Sequence, residues 1–546
     1  MKNCSTNFPL ATLVERFEPL VITNDQKTVI QHGAGKAPDK FLRKLFLKRC
    51  PLAVLDQETL KMIQVLRLHE AIDHTRSVTG SAVLLRSLVQ PSTDLQHIRS
   101  KQASLREIAS ADRLRQALED CVHEFSVGEN ALYKFFNKGL YALFPYLDIK
   151  RAKRAAVNML RVLDAIPDTE SAYISALLSQ LRAYQGSPID QMMTGSIYKT
   201  FDGLKSENEV GVFTPKIKFT PHRFTKWVFA GPAVALAPHI LSKAGFAQPL
   251  SPLMPIIGAV WTGLYAFYGL AFKPIRDTDH FIEPFRKRCI TDSAFGRAVD
   301  AIGMIDELLS CHNFANAWPH AATLPEVTDD DHHCFQATGL RNPVLAKPGM
   351  DFVPNDINLN GARLTFISGP NSGGKTTICK SIVHNQVLAQ MGAYVLAKKA
   401  VINIADMISY QAPKFDGLQD DEGRFGTELS RTRDIFYSTS PKSLVILDEL
   451  AEGTTYEERL HESFEIMSDF HTIGNSTLLV THNHSLVDRF MGAQQGQSLM
   501  VEFQGDAPTY RIIPGISRVS HADRVAKKIN FSRDDRRQYM QEKGYI

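Results

Sequence analysis

A chain of 546 residues is too long for one compact core, and its length suggests about three or four domains. With 44% hydrophobic and 22% charged side chains, the composition is that of an ordinary globular protein. The net charge of +4 is only a weak lean toward polyanions, and no electrostatic argument for nucleic acid follows from the whole chain.

Residues 1–50 form an N-terminal segment, and Met1 to Lys27 lacks the apolar core of a cleavable signal. Cys4, Cys50, Cys121, Cys289, Cys311, Cys334 and Cys379 are scattered without C-x-x-C spacing, which is reduced, intracellular usage. From about Leu55 to Gln185 apolar residues recur at helical spacing, as in Leu60–Leu66 and Ala152–Leu163, so a set of packed helices is expected.

The pattern changes at Trp227. From there to Phe272 only His239 and Lys243 can carry charge near neutral pH, and Ala244 to Phe272 carries none for 29 residues. A helix crossing a bilayer needs roughly 20 such residues. Pro232 and Pro238 are expected to interrupt the first half, and Pro249, Pro252 and Pro255 leave Ile256 to Phe272 as the longest unbroken run. Arg223 and Lys226 precede the segment and Lys273 and Arg276 follow it, which fits a hairpin at 227–272 with both ends on the cytoplasmic face of a membrane. A buried helical pair or an apolar dimer surface would have the same composition. Further on, Asp330-Asp-His-His-Cys334 offers metal-ligand types, but adjacent loop residues rarely converge on one ion, and a solvated loop is expected.

From about Phe335 short apolar runs alternate with helical ones. Leu364–Ile367, Ser443–Leu447 and Thr477–Val480 read as buried parallel strands, and the C-terminal part as an α/β domain. After the first of these strands comes Gly369-Pro-Asn-Ser-Gly-Gly-Lys-Thr376, which fits the G-x-x-x-x-G-K-[ST] phosphate loop of a nucleoside-triphosphate site. Its glycines would let backbone N–H groups face the phosphates, Lys375 would reach the outer ones, and Thr376 would ligate Mg2+. Thr377 to Met391 reads as the helix behind the loop. The second strand ends in Asp448, placed to hold Mg2+, and Glu449, placed to polarise an attacking water. The third ends in His482, placed to sense the terminal phosphate. Ligands of open parallel sheets bind at the carboxyl ends of the strands, so the three strand ends form one consistent site.

These residues resemble the MutS mismatch-repair ATPases. Gly369–Thr377 is similar to the Gly-Pro-Asn-Met-Gly-Gly-Lys-Ser-Thr loop, with Ser372 for Met and Thr376 for Ser. Gly339–Val344 and Phe352–Asp356 resemble the segments leading into that loop, although Asn342 stands where His is usual. Asp448–Thr455, Thr481-His482…Leu486 and Gly515…Ala526 resemble later family segments, the last being one that packs on the partner subunit. Leu55–Leu60 and Thr79…Ile98 are similar to the family's core domain, so the likeness runs from about Pro51 to Asn530 apart from a middle stretch.

The resemblance implies a multidomain fold: an all-α core of lever helices at 51–334, interrupted by the hairpin, then a P-loop ATPase domain of ABC/MutS type at 335–530 and a tail at 531–546. It implies ATP and Mg2+ as ligands, held by Gly369, Pro370, Asn371, Ser372, Gly373, Gly374, Lys375, Thr376 and Thr377, with Thr376 and Asp448 on the metal. Glu449, His482 and Asn371 would be the catalytic set, and a homodimer the working form.

Departures limit the likeness. About 50 residues precede the core, too few for the mismatch-reading domain, and about twenty follow the last family segment, too few for an endonuclease tail. The apolar hairpin stands where the family's DNA clamp is inserted. Glu422-Gly-Arg-Phe-Gly-Thr-Glu428 resembles a segment that contacts the partner's nucleotide, but Gly423 falls at its serine position, leaving Arg424 as either a substitute finger or a solvated loop residue. The expectation is a membrane-tethered dimeric ATPase. A soluble binder of double-stranded or branched DNA, using Lys216, Lys218, Arg223 and Lys226, and an ATP-bound scaffold with little turnover are the other readings.

Overall fold

The structure is a computed structural model, and it describes residues 54–136, 145–222, 224, 226–243, 253–318, 321–369, 373–412, 423–450, 456–504, 507–517 and 529–545. Among these, the chain divides into two compact units: 75–83 with 107–309, and 54–74 with 84–106 and 310–545. The first residues, 1–50, lie outside the described ones.

The first unit is mainly helical. Helices Asp112–Phe136 and Pro145–Arg161 pack closely, because Gly128 lets the backbone of Ala155 approach; a Cβ at Gly128 would lie 2.5 Å from Ala155 Cβ. Two buried carboxylates pin the start of helix Val78–Val89. Asp306 accepts from the backbone N–H of Arg76 and Ser77 at 3.1 and 2.8 Å, and Glu129 from those of Val78 and Thr79 at 2.9 and 2.6 Å. These satisfy donors that the first helical turn leaves open. A small sheet of β1 (Tyr198–Thr200), β2 (Gly203–Lys205) and β3 (Ile217–Lys218) has the order β2-β1-β3.

The apolar segment folds as helices Ala230–Lys243 and Met254–Phe267, the second running on through wider turns to Phe272. Met254–Thr291 is one helical run, long and apolar enough to cross a membrane. Pro232 and Pro238 do not interrupt the first helix as expected. Pro232 falls in the first turn, where the missing N–H has no intrahelical partner, and Pro238 is carried inside at the loss of one bond.

The second unit is built on a six-stranded sheet of β7 (Leu364–Ser368), β9 (Ile408–Gln411), β10 (Leu444–Asp448), β11 (Ser476–Val480), β12 (Gln497–Gln504) and β13 (Ala507–Pro514), in the order β13-β12-β7-β11-β10-β9. All neighbours are parallel except β12 and β13. Every residue of β7 and β11 is buried, which is why both read as unbroken apolar runs rather than alternating ones. Phe366, Leu447 and Leu479 pack from one sheet face onto Met467, Phe470 and Phe490. A second sheet, β4 (Glu326–Thr328), β5 (Phe335–Leu340), β6 (Asn355–Asn358) and β8 (Lys399–Asn403), is ordered β4-β8-β5-β6.

Helices Gln57–Met62, Val65–Ile72 and Leu95–Ser110 follow the expected pattern, yet residues up to 74 and 84–106 belong to the α/β unit. The reason lies in contacts that periodicity does not report. Ile408 N–H donates to Val54 O at 2.7 Å, Tyr410 N–H to Thr59 Oγ1 at 3.0 Å, and Ser92 N–H to Gln390 O at 3.1 Å. The chain also joins this unit before residue 335, since β4 pairs in parallel with β8.

Candidate functional site

β7 delivers the chain to Gly369, whose φ of +142° suits glycine, and where a Cβ would meet Val501 Cγ2 at 3.1 Å. Pro370, Asn371 and Ser372 lie outside the described residues. The chain resumes at Gly373, and Gly374, left-handed at φ +87°, precedes helix Lys375–Gln390 without a side-chain cap. The helix therefore starts two residues before the expected Thr377. Its first N–H groups have no side-chain cap at Gly374, the arrangement that receives anions. Lys375 is buried, and its Nζ donates to Gly369 O at 2.6 Å. Burial pulls its pKa below the usual lysine range, against the opposing attraction of Asp448 and Glu449.

β10 and β11 bring the remaining groups to the same edge. Thr376 Oγ1 donates to Asp448 Oδ2 at 2.9 Å, and the buried Tyr410 hydroxyl donates to the same oxygen at 3.3 Å. Burial first, then the neighbouring Cys379 and Asp448, holds the Tyr410 phenol far above its ordinary pKa, so it stays a donor. A hydroxyl and a carboxylate oxygen in direct contact are the hard oxygen donors that suit Mg2+. Glu449 follows with φ +66°, a left-handed conformation uncommon for a non-glycine residue, and its N–H donates to Val480 O at 2.9 Å. Its carboxylate Oε1 lies 3.6 Å from His482 Nε2. Thr481 N–H donates to Ile367 O at 3.1 Å, so the ends of β11 and β7 are held side by side. Gly369, Gly373, Gly374, Lys375, Thr376, Thr377, Asp448, Glu449 and His482 thus stand on adjoining strand and helix ends of one unit.

A cavity of about 450 Å³ opens beside Gly374–Thr377, walled by Phe352, Val353, Tyr510 and Ile512. Its aromatic and apolar lining next to an anion-receiving helix start is suited to a nucleoside. Reading the sequence did not assign Tyr510 to the site. It sits on β13 at φ +60°, held by Asn355, whose Nδ2 donates to Tyr510 O at 3.1 Å and whose Oδ1 accepts from Ile512 N–H at 2.7 Å. Phe352 carried a sequence signal through the Phe352–Asp356 run; Tyr510 carried none, because its place depends on β13 closing the sheet edge. A second cavity of about 210 Å³ is lined by Glu449, Arg459, Thr481 and His482.

Other candidate groups are placed differently. His332 and His333 turn to separate partners, Gly474 O and Gln386 Oε1, and among the described residues no three His, Cys, Asp or Glu side chains are grouped to hold a metal. Asn342 Oδ1 accepts from the N–H groups of Val344 and Leu345 at 2.9 and 3.1 Å, closing a local turn. Helix Gly423–Ser438 carries Glu428, but Glu422 and the side chains of Arg424 and Phe425 lie outside the described residues, as do residues 451–455 and 518–528.

An extended, mostly parallel sheet with these groups at its carboxyl edge, in a chain that also has a separate helical unit, defines a multidomain α/β protein. Residues 365–534 match the model of MutS domain V. The chain is 32% identical over 220 residues to the DNA mismatch repair protein MutS of Desulfatibacillum aliphaticivorans, covering 37% of this chain and 25% of that protein. It is 33% identical over 241 residues to MutS of Myxococcus xanthus (strain DK1622), covering 42% and 26%, and 30% identical over 251 residues to the DNA mismatch repair protein msh3 of Aspergillus oryzae, covering 43% and 22%. The chain spans about a quarter of the length of these curated relatives. Over its C-terminal half the chain is thus similar to the MutS proteins, consistent with a MutS-related protein.

Proposed function

We propose that this chain is an Mg2+-dependent ATPase working as a homodimeric, nucleotide-driven switch, held at the cytoplasmic face of a membrane by residues 227–272. The observation that carries the enzymatic part is the meeting of Thr376, Asp448 and Glu449 at one sheet edge, with Glu449 twisted into a left-handed conformation toward His482. In this reading the helix start at Gly374–Thr376 and Lys375 bind the phosphates, and Phe352 and Tyr510 receive the base. Thr376 and Asp448 hold Mg2+, which neutralises charge on the phosphates when bound. Glu449 accepts the proton of the attacking water, and His482 holds the Glu449 carboxylate in place. Asn371 joins the catalytic set from the loop.

Phosphate release separates this from an ATP-bound scaffold. The wild type should turn over ATP, and Glu449→Gln should lose about 10²–10⁴-fold in rate while still binding nucleotide, the range expected for a general base. A wild type that binds ATP and releases no phosphate contradicts the proposal. The relatives' names point to DNA, and the exposed Lys216 and Lys218, whose ammonium groups lie 5.0 and 5.9 Å from the Tyr198 ring centre, are the groups that would meet phosphates. DNA held this way would be released steeply with added salt.

A further inference from the structure

The apolar hairpin is built inside out. Its two helices meet through small residues: a Cβ at Gly258 would lie 2.5 Å from Gly231 O and 2.7 Å from Ala235 Cβ, and Gly231 sits against Thr262. Large side chains point away, with Ile256, Ile257, Val260, Leu264, Phe267 and Phe272 each more than half exposed. Close backbone approach through small residues with the bulk outside is how helices pair in lipid, where the solvent is as apolar as the side chains. In water the same surface would be a large unpaid hydrophobic patch.

The hairpin's length and charges say how deep it goes. The leg Met254–Phe272 is helical throughout, 19 residues or about 28 Å, against a hydrocarbon layer of about 30 Å. The legs run antiparallel, since Gly231 faces Thr262 and Ala235 faces Gly258. Counting back along the helix from Lys273 to Thr262, then on from Gly231 to exposed Lys243, at about 1.5 Å per residue, separates the two lysines by about 34 Å along the hairpin. At the Lys273 end the surroundings are polar. The buried Lys273 Nζ donates to His222 O, the Tyr146 hydroxyl donates to Asp277 Oδ2 at 2.8 Å, and Arg276 is exposed. Among described residues 230–272, Lys243 is the one Asp, Glu, Lys or Arg, and it stands at the far end.

Resting on the membrane reading proposed above, we infer that the hairpin crosses the entire hydrocarbon layer, with Lys273 and both flanking chain segments on one face and Lys243 on the other. A hairpin dipping into one leaflet would leave the Lys243 ammonium near the midplane, the costliest depth for a charge, or leave half of the apolar surface in water. The whole span instead sets Lys243 past the far boundary, where its long stem reaches the headgroups. The excess of Lys and Arg at the base, Lys226, Lys273 and Arg276 against Lys243 alone, puts the base on the cytoplasmic side.

Single cysteines test this in the full chain expressed in bacterial spheroplasts. Lys243→Cys and Asp279→Cys, both at exposed positions, are introduced one at a time into a background in which Cys4, Cys50 and the half-buried Cys334 are replaced by Ser, Cys121, Cys289, Cys311 and Cys379 being buried. They are probed with a membrane-impermeant maleimide before and after permeabilisation, with that background as the blank. A full span predicts labelling of Lys243→Cys in intact spheroplasts and of Asp279→Cys only after permeabilisation. If the protein fractionates with membranes but Lys243→Cys stays unlabelled in intact spheroplasts, the span is overturned and the tether stands. If both variants recover in the soluble fraction without detergent, the membrane reading itself falls.

Discussion

In the α/β unit, Phe366, Leu447 and Leu479 are fully buried against Met467 and Phe490, and the polar residues stand at the sheet's edge. In the hairpin the order is reversed: Gly258 is buried while Leu264 is 64% and Phe267 60% exposed. Side chains of the same class therefore stabilise one region by leaving water, and in the other they stand on the outside, the arrangement that the proposed membrane reading accounts for. The lesson is that hydrophobicity alone does not tell a core from a membrane surface; which residue sizes face inward does.

The comparison is open to attack at several points. The largest effect belongs to the site the buried sheet positions: Glu449→Gln should cost about 10²–10⁴-fold in phosphate release with nucleotide affinity kept, checked by turnover and equilibrium binding. Next, Phe366→Ala should destabilise the α/β unit by about 3–5 kcal/mol in chemical denaturation, since its ring is buried and stacked 5.1 Å from that of Phe490. Leu264→Ala should move stability in denaturant by less than about 0.5 kcal/mol, because the side chain has no protein core to leave. A large loss from Leu264→Ala would show that the hairpin is buried by protein after all.

The two units should also answer pH with opposite signs. Burial holds the His384 imidazole down at about 4, below its ordinary 6.5, while its Nε2 meets Ile63 O at 2.7 Å. Between those values the unfolded chain binds the proton and the folded one does not, so the α/β unit loses stability as pH falls from 6.5 toward 4. Burial pushes the Asp306 carboxyl up from 3.8 to about 6, so there the folded form holds the extra proton and stability falls as pH rises from 4 to 6. Each site contributes at most about 1.4 kcal/mol per pH unit. Amide exchange should show protection lost on acidification in Lys375–Gln390 and gained in the first turn of Val78–Val89, and the same sign in both would break the contrast.

Much of the site was legible because its signals are local. Three apolar runs became β7, β10 and β11 with ends shifted by no more than a residue, since strands buried on both faces leave no alternation to misread. Asp448 ends β10, Glu449 follows it and His482 stands two residues past β11, so finding the strands found the residues. What stayed hidden depends on distant partners. Tyr510 reaches the nucleoside-sized cavity through the antiparallel β12–β13 pairing, and Asn355, 155 residues away, fixes its backbone. Helices before residue 107 read alike by period, but Ser92 and Gln102 bond to Gln390 and Pro325 and so draw 84–106 to the α/β unit. Pro238 signalled a break that the helix absorbs.

The central claim, an ATP-driven MutS-related switch borne on a membrane, meets its most direct test in fractionation of the full chain beside a 227–272 deletion. After a high-salt wash, the full chain should stay with the membranes and leave them only in detergent, while the deletion variant should be recovered soluble with its nucleotide binding intact. Recovery of the full chain in the soluble fraction without detergent would contradict the account.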